Sequence, residues 1–111
     1  MISLPKDRNF QLWEYNVSHG SLLIRSPKKD DHKYNIDVKF YGVEFVSVPR
    51  HLEFIVIVNA SNEEIQYLEN LIGKSIENVF VLKSAKARHL VAAAGIKVDE
   101  NELDIFDSPF N

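Results

Sequence analysis

The chain contains no cysteine. That removes disulfides, thiolate metal sites and thiol nucleophiles together. Glycine is scarce, and Gly20, Gly42, Gly73 and Gly95 each stand alone, so no glycine-rich loop exists to cradle a phosphate. No apolar run approaches the roughly 20 residues of a membrane span, so no membrane partner is expected. Basic residues are scattered: 13 Lys and Arg face 16 Asp and Glu, for a net charge of −3. The nearest approach to a basic run, Lys28-Lys29, is followed at once by Asp30-Asp31. A nucleic-acid footprint gathers Lys and Arg on one face, so nucleic acid is not an expected partner. Residues 1–9 are too short and too polar for the apolar core of a secretion signal. The expectation is a soluble, cytoplasmic chain.

What is present suffices for one domain over 1–111, with 1–9 as a loose N-terminal arm and 107–111 as a C-terminal tail. With 45% hydrophobic residues a core needs neither disulfide nor metal. Aromatic residues make up 11% of this short chain, enough to expect some rings at a surface.

The organising stretch is 34–59, read as three strands. Tyr34, Ile36, Val38 and Phe40 alternate with Asn35, Asp37, Lys39 and Tyr41, the period-two pattern of a strand with one apolar and one wet face. Beyond Gly42 the phase flips to Val43 and Phe45. A hairpin turning at Tyr41-Gly42 is the favoured explanation. A bulge at Gly42, which inserts one residue and resets the alternation, is the other. Pro49 ends the second strand. The run 52–58 is apolar on both faces, with Leu52, Phe54, Val56 and Val58 on one and Ile55 and Ile57 on the other. Such a strand is expected at the centre of the fold.

Before this stretch, 10–17 and 21–26 read as strands joined at Ser18-His19-Gly20. After it the period changes. Ser61 with Glu64 is a capping box, Ile65, Leu68 and Ile72 recur at helical spacing, and Gly73 supplies the stop. Residues 76–83 return to a strand. The Ala-rich segment 84–98 has helix propensity, yet a helix strands Ile96 and Val98, so a turn at 84–86 followed by a strand is preferred. A turn at 99–102, a short strand at 103–106 and a tail with Phe110 free to dock complete the chain. The sum is a strand-rich α+β domain: a bent or partly closed antiparallel sheet carrying one amphipathic helix over about 62–72.

No constellation for chemistry emerges. His19, His32, His51 and His89 lack partners at metal-ligand spacing, and each falls in or beside a turn. Asp37, Glu44 and Glu53 are strand carboxylates expected opposite Lys39 or an arginine. No glycine pattern surrounds Ser18 or Ser108 to make a nucleophile. No catalytic residue, metal ligand or cofactor is assigned. The binding candidates are Trp13, Tyr15, His19, Arg25, Asp37, Arg50 and His51. Trp13 and Tyr15 are placed on one strand face, and exposed aromatics near arginine are the material of interface hot spots. The expected function is protein–protein binding or self-association without catalysis, in the manner of small adaptors or immunity proteins, an analogy of class alone. The alternative is a small-ligand or catalytic site in a curved-sheet pocket built from His, Arg and Asp side chains.

Overall fold

The computed structural model describes residues 1–85 and 87–110. The elements in order are β1 (Ile2–Ser3), β2 (Phe10–Asn16), β3 (Ser21–Ser26), β4 (Asn35–Tyr41), β5 (Phe45–Ser47), β6 (His51–Leu52), β7 (Val56–Asn59), α1 (Asn62–Ile72), β8 (Asn78–Ser84), β9 (Ala87–Ala93) and β10 (Gly95–Asn101). The strand-rich α+β reading holds, with the strands divided between two antiparallel sheets. The first sheet runs β1-β7-β8-β9-β5 and the second β10-β4-β3-β2-β6. Neither closes on itself.

The main core is a single apolar layer. Phe10, Leu22, Ile24, Ile36, Val38 and Phe40 of the second sheet meet Ile57, Leu82 and Val91 of the first. The helix lies outside this layer, on the first sheet. Its Leu68 is fully buried against Val79 and Ala92. The expected capping box forms, with the Ser61 side chain accepting from Glu64 N–H and the Glu64 carboxylate accepting from Ser61 N–H. Gly73 ends the helix at a φ of 86°, its N–H donating to Glu69 O. Arg88 of β9 grips Glu64 through two hydrogen bonds of 3.0 and 2.8 Å, tying the first turn to the sheet. The Arg88 hydrogen bond, opposed by partial burial and helped by the Ser61 N–H, lowers the Glu64 carboxyl to about 2.

The favoured hairpin at Tyr41-Gly42 does not form. Phe40 pairs with Ile96 and Leu22, and Phe45 pairs with Ala92. Tyr41 lies opposite Gly95 and Phe45 opposite Ala92, so the 41–45 side has four steps where its partner has three. That one extra residue is a bulge, as the second reading has it, but it joins two strands of different sheets instead of lying within one long strand. At this corner both runs pass from one sheet to the other. Gly42 is required there twice over: its φ is +62°, and a Cβ would sit 2.8 Å from Ala94 Cβ. Ala94 N–H donates to Tyr41 O and Gly42 O, which holds the corner shut.

The 52–58 run is also corrected. Leu52 belongs to the second sheet, opposite Phe10, while Val56–Asn59 forms β7 in the first. Ile55 and Ile57 enter the core, and Val56 and Val58 are only half-buried. The two-sided apolar pattern thus reflects a change of sheet rather than a central strand. The strand buried throughout is β4, from Asn35 to Phe40.

Segment 84–98 is extended from 87, as preferred, but as two strands broken at Ala94, β9 in the first sheet and β10 in the second; β10 runs on to Asn101, so the expected turn at 99–102 is replaced by pairing with β4. Of the expected 84–86 turn, Lys86 lies outside the described residues, as does Asn111 of the tail. The expected strand at 103–106 is absent; the chain turns at Ile105-Phe106. Residues 1–9, expected as a loose arm, are tied down twice. Ile2 and Ser3 pair with Ile57 and Val56. Arg8 is buried, donating to Ser26 Oγ, Ser26 O and Tyr34 O at 2.8 to 3.0 Å.

Candidate functional site

The outer face of the second sheet was expected to be wet, because Asn35, Asp37 and Lys39 alternate with core residues. All three are buried. The reason is the C-terminal segment, residues 102–110, which crosses this face as a strap. Asn35 Nδ2 donates to Leu103 O at 2.9 Å, Ser108 Oγ to Glu14 Oε2 at 3.3 Å, and Phe110 meets the Tyr41 ring edge-on at 5.7 Å. Phe110 therefore docks as the sequence suggested.

Beneath the strap, antiparallel registers align Asp99, Asp37, Arg25, Gln11 and His51 across β10, β4, β3, β2 and β6. Opposite residues share a face, so this is one polar row. Arg25 is at its centre and has no exposed surface. Its Nε donates to Asp37 Oδ1 at 2.6 Å and its Nη2 to Asp37 Oδ2 at 2.9 Å. Asn101 Nδ2 adds a third bond to Asp37 at 2.6 Å. Three donors thus converge on the two oxygens of one buried carboxylate. Beside it Lys39 Nζ lies 2.6 Å from Asp99 Oδ2. Burial pulls the Lys39 ammonium down, but the Asp99 hydrogen bond and charge outweigh it and leave it raised.

Trp13 covers the guanidinium, its ring centroid 5.5 Å from Arg25 Cζ. A second bulge puts it there. Leu12 pairs with Ile24 and Glu14 with Leu23, so Trp13 is the extra residue. The same bulge separates it from Tyr15, which lies opposite the core residue Leu22 and so on the other face. The expectation that both rings share a face fails for this reason.

A pocket of about 430 Å³ opens between this row and the strap. Trp13, Arg25, Pro27, Lys28 and Asn35 line one side, and 103–106 the other. Among the described residues, one buried side-chain nitrogen or oxygen lacks a partner, and it is Arg25 Nη1. Ile105 is 59% exposed and Phe106 95% exposed at the pocket's lip.

The remaining candidates scatter. His51 is exposed at the end of the polar row, two strands from Arg25. His19 is exposed in the turn after β2, its N–H bonded to Asn16 Oδ1. The two histidines flank opposite ends of β2, about 20 Å of strand apart. Arg50 is exposed, and its carbonyl accepts from Leu12 N–H. No histidine lines the pocket. Among the described residues no three His, Asp or Glu side chains gather as a metal cage, and no helix is long and apolar enough to cross a membrane.

Sequence reasoning found Trp13, Arg25 and Asp37 but missed Lys28, Asn35, Asn101 and the turn at 103–106. Ile105-Phe106, an apolar pair among acidic residues near the C-terminus, was the signal available. It was absorbed by a strand assignment. In comparison with known proteins, no family model matches the chain, and neither a curated protein nor a solved structure is similar to it.

Proposed function

We propose that this chain is a non-enzymatic binding domain that engages a partner protein at the lip of the strap pocket. Phe106 carries this reading: a ring 95% exposed, beside Ile105 and over an apolar-walled pocket. A phenylalanine held in water has no folding role at that position, and burial against a partner would recover about 2 kcal/mol. Buried aromatics with a neighbouring arginine are what concentrate binding energy at interfaces. Catalysis is disfavoured because Asp37 is saturated with donors and no histidine or nucleophile faces the pocket. A cytoplasmic location is part of this reading, and fractionation of the tagged protein tests it.

The test is recovery of partners from the native host by tagged wild-type protein and by an Ile105→Ser, Phe106→Ser variant, with light scattering on each. A protein recovered near stoichiometry with wild type and lost with the variant supports the reading. Equal recovery by both rejects it. A defined oligomer of wild type that the variant abolishes makes the partner a second copy.

A second reading, a small-molecule site, is favoured by the pocket itself. Its volume is within the usual range of about 300–1,000 Å³ for ligand sites.

A further inference from the structure

We propose that the strap pocket takes an uncharged, largely apolar group bearing one acceptor oxygen, chemically an aromatic ketone or amide. The oxygen would meet Arg25 Nη1, and the flat body would lie between Trp13 and the 103–106 turn. This rests on the pocket being a binding site and names what it binds, whether that group belongs to a free molecule or is carried by a partner.

Hydrogen-bond accounting gives the acceptor. Arg25 spends Nε and Nη2 on Asp37, so Nη1 is the edge of the guanidinium turned away from that carboxylate. It is buried with no partner, and an unsatisfied buried donor is costly. Of the other polar side chains in the lining, Asn35 is engaged on both its oxygen and its nitrogen. It donates to Asn101 Oδ1 and Leu103 O and accepts from Lys28 N–H. Nη1, which carries two N–H groups, is therefore the buried side-chain nitrogen of the lining left without a partner, and it calls for an acceptor.

Charge accounting makes the ligand neutral. Arg25 faces Asp37, and Lys28 Nζ lies 3.6 Å from Asp104 Oδ1. Each cation of the lining already has its carboxylate. A carboxylate ligand would add a negative charge beside Asp37 with no free cation to balance it. Shape gives the rest: the Trp13 ring on one side and Leu103, Ile105 and Phe106 on the other suit a flat apolar body.

The chain has a single tryptophan, so one indole N–H signal reports on the pocket. Nitrogen-15-labelled protein is titrated with acetophenone, benzoate and ethylbenzene, three probes of similar size. Acetophenone should shift the Trp13 indole and the 103–106 amides saturably, with a dissociation constant on the order of 1 mM, as befits a fragment. Ethylbenzene should bind about fivefold more weakly, the worth of one hydrogen bond, and benzoate should bind more weakly than acetophenone because its charge finds no free cation. Equal binding of ethylbenzene would overturn the acceptor contact, meaning that water satisfies Nη1. Tighter binding of benzoate would make the pocket an anion site, and no shift from any probe would end the proposal. An Arg25→Met, Asp37→Leu double variant should erase the preference for acetophenone over ethylbenzene. If that variant does not fold, the ranking on wild type decides alone. Loss of partner recovery on changing Ile105 and Phe106, without acetophenone binding, would sink this inference and leave the protein-binding reading standing. Acetophenone binding with no partner would do the reverse.

Discussion

The two faces of the second sheet are buried almost equally, yet they are built from opposite chemistry. The inner face carries Leu22, Ile24, Val38 and Phe40, each with no exposed surface. The outer face carries Arg25, Asp37 and Lys39, exposed by 5% or less. The inner face is covered by another sheet and needs only shape complementarity. The outer face is covered by an irregular strap and needs a partner for every charge. An apolar surface tolerates any close-packed neighbour, while a buried ion pair specifies which neighbour and in what register. The strap pocket is on the specified face, where the Arg25 Nη1 nitrogen is left without a partner.

Four measurements break or sharpen this contrast. The largest effect belongs to the apolar face. Ile57→Asp places an unpaired charge between the sheets and should cost about 4 kcal/mol or more, enough to unfold much of the population. Val56→Asp, one residue away but half-buried, should cost clearly less; equal losses in urea unfolding would contradict the assignment of faces.

On the polar face, Arg25→Met leaves Asp37 buried without its main partner and should cost about 3–5 kcal/mol. Adding Asp37→Leu should return much of that loss, because two apolar groups need no pairing. A double variant no more stable than the single would mean that the pair is not the unit holding this face together.

The helix clamp offers a smaller, pH-dependent effect. Glu64 titrates near 2 in the folded chain against 4.5 ordinarily, so its contribution is complete above about 4.5 and is lost as pH falls toward 2. Wild type should therefore lose stability across that window by more than a Glu64→Gln variant does, as read by melting temperature at stepped pH. Parallel curves would remove the clamp. Ser61→Ala should cost about 1 kcal/mol at neutral pH through the lost cap.

The smallest effect should come from Phe106→Ser. A ring that touches little in the free chain should change stability by less than about 0.5 kcal/mol while altering binding at the pocket. A larger loss would make Phe106 structural and withdraw it from the proposed interface.

Local signals were legible where the physics is local. The helix was readable from Ser61, Glu64 and Gly73 because caps act within one turn. The extended state of 87–98 was readable from the cost of stranding Ile96 and Val98, though not its break at Ala94 or its continuation to Asn101. Alternation also separated Val38 and Phe40 from Asp37 and Lys39 correctly. It failed at Gly42, where one extra residue looks the same in sequence whether the chain turns back or crosses to another sheet. It failed again at Trp13, because a bulge moves a side chain to the other face without any change of composition.

The sequence by itself thus determined the fold class, the helix and which residues of β4 face the core. Period and capping are properties of neighbours along the chain. The tertiary structure alone decided that there are two sheets, that Arg25 meets Asp37 across a register 12 residues apart, and that residues 102–110 bury a face whose pattern reads as solvated. Each of these depends on which distant segment arrives to cover or pair a strand, and alternation records only that a face is polar, not whether water or another part of the chain satisfies it.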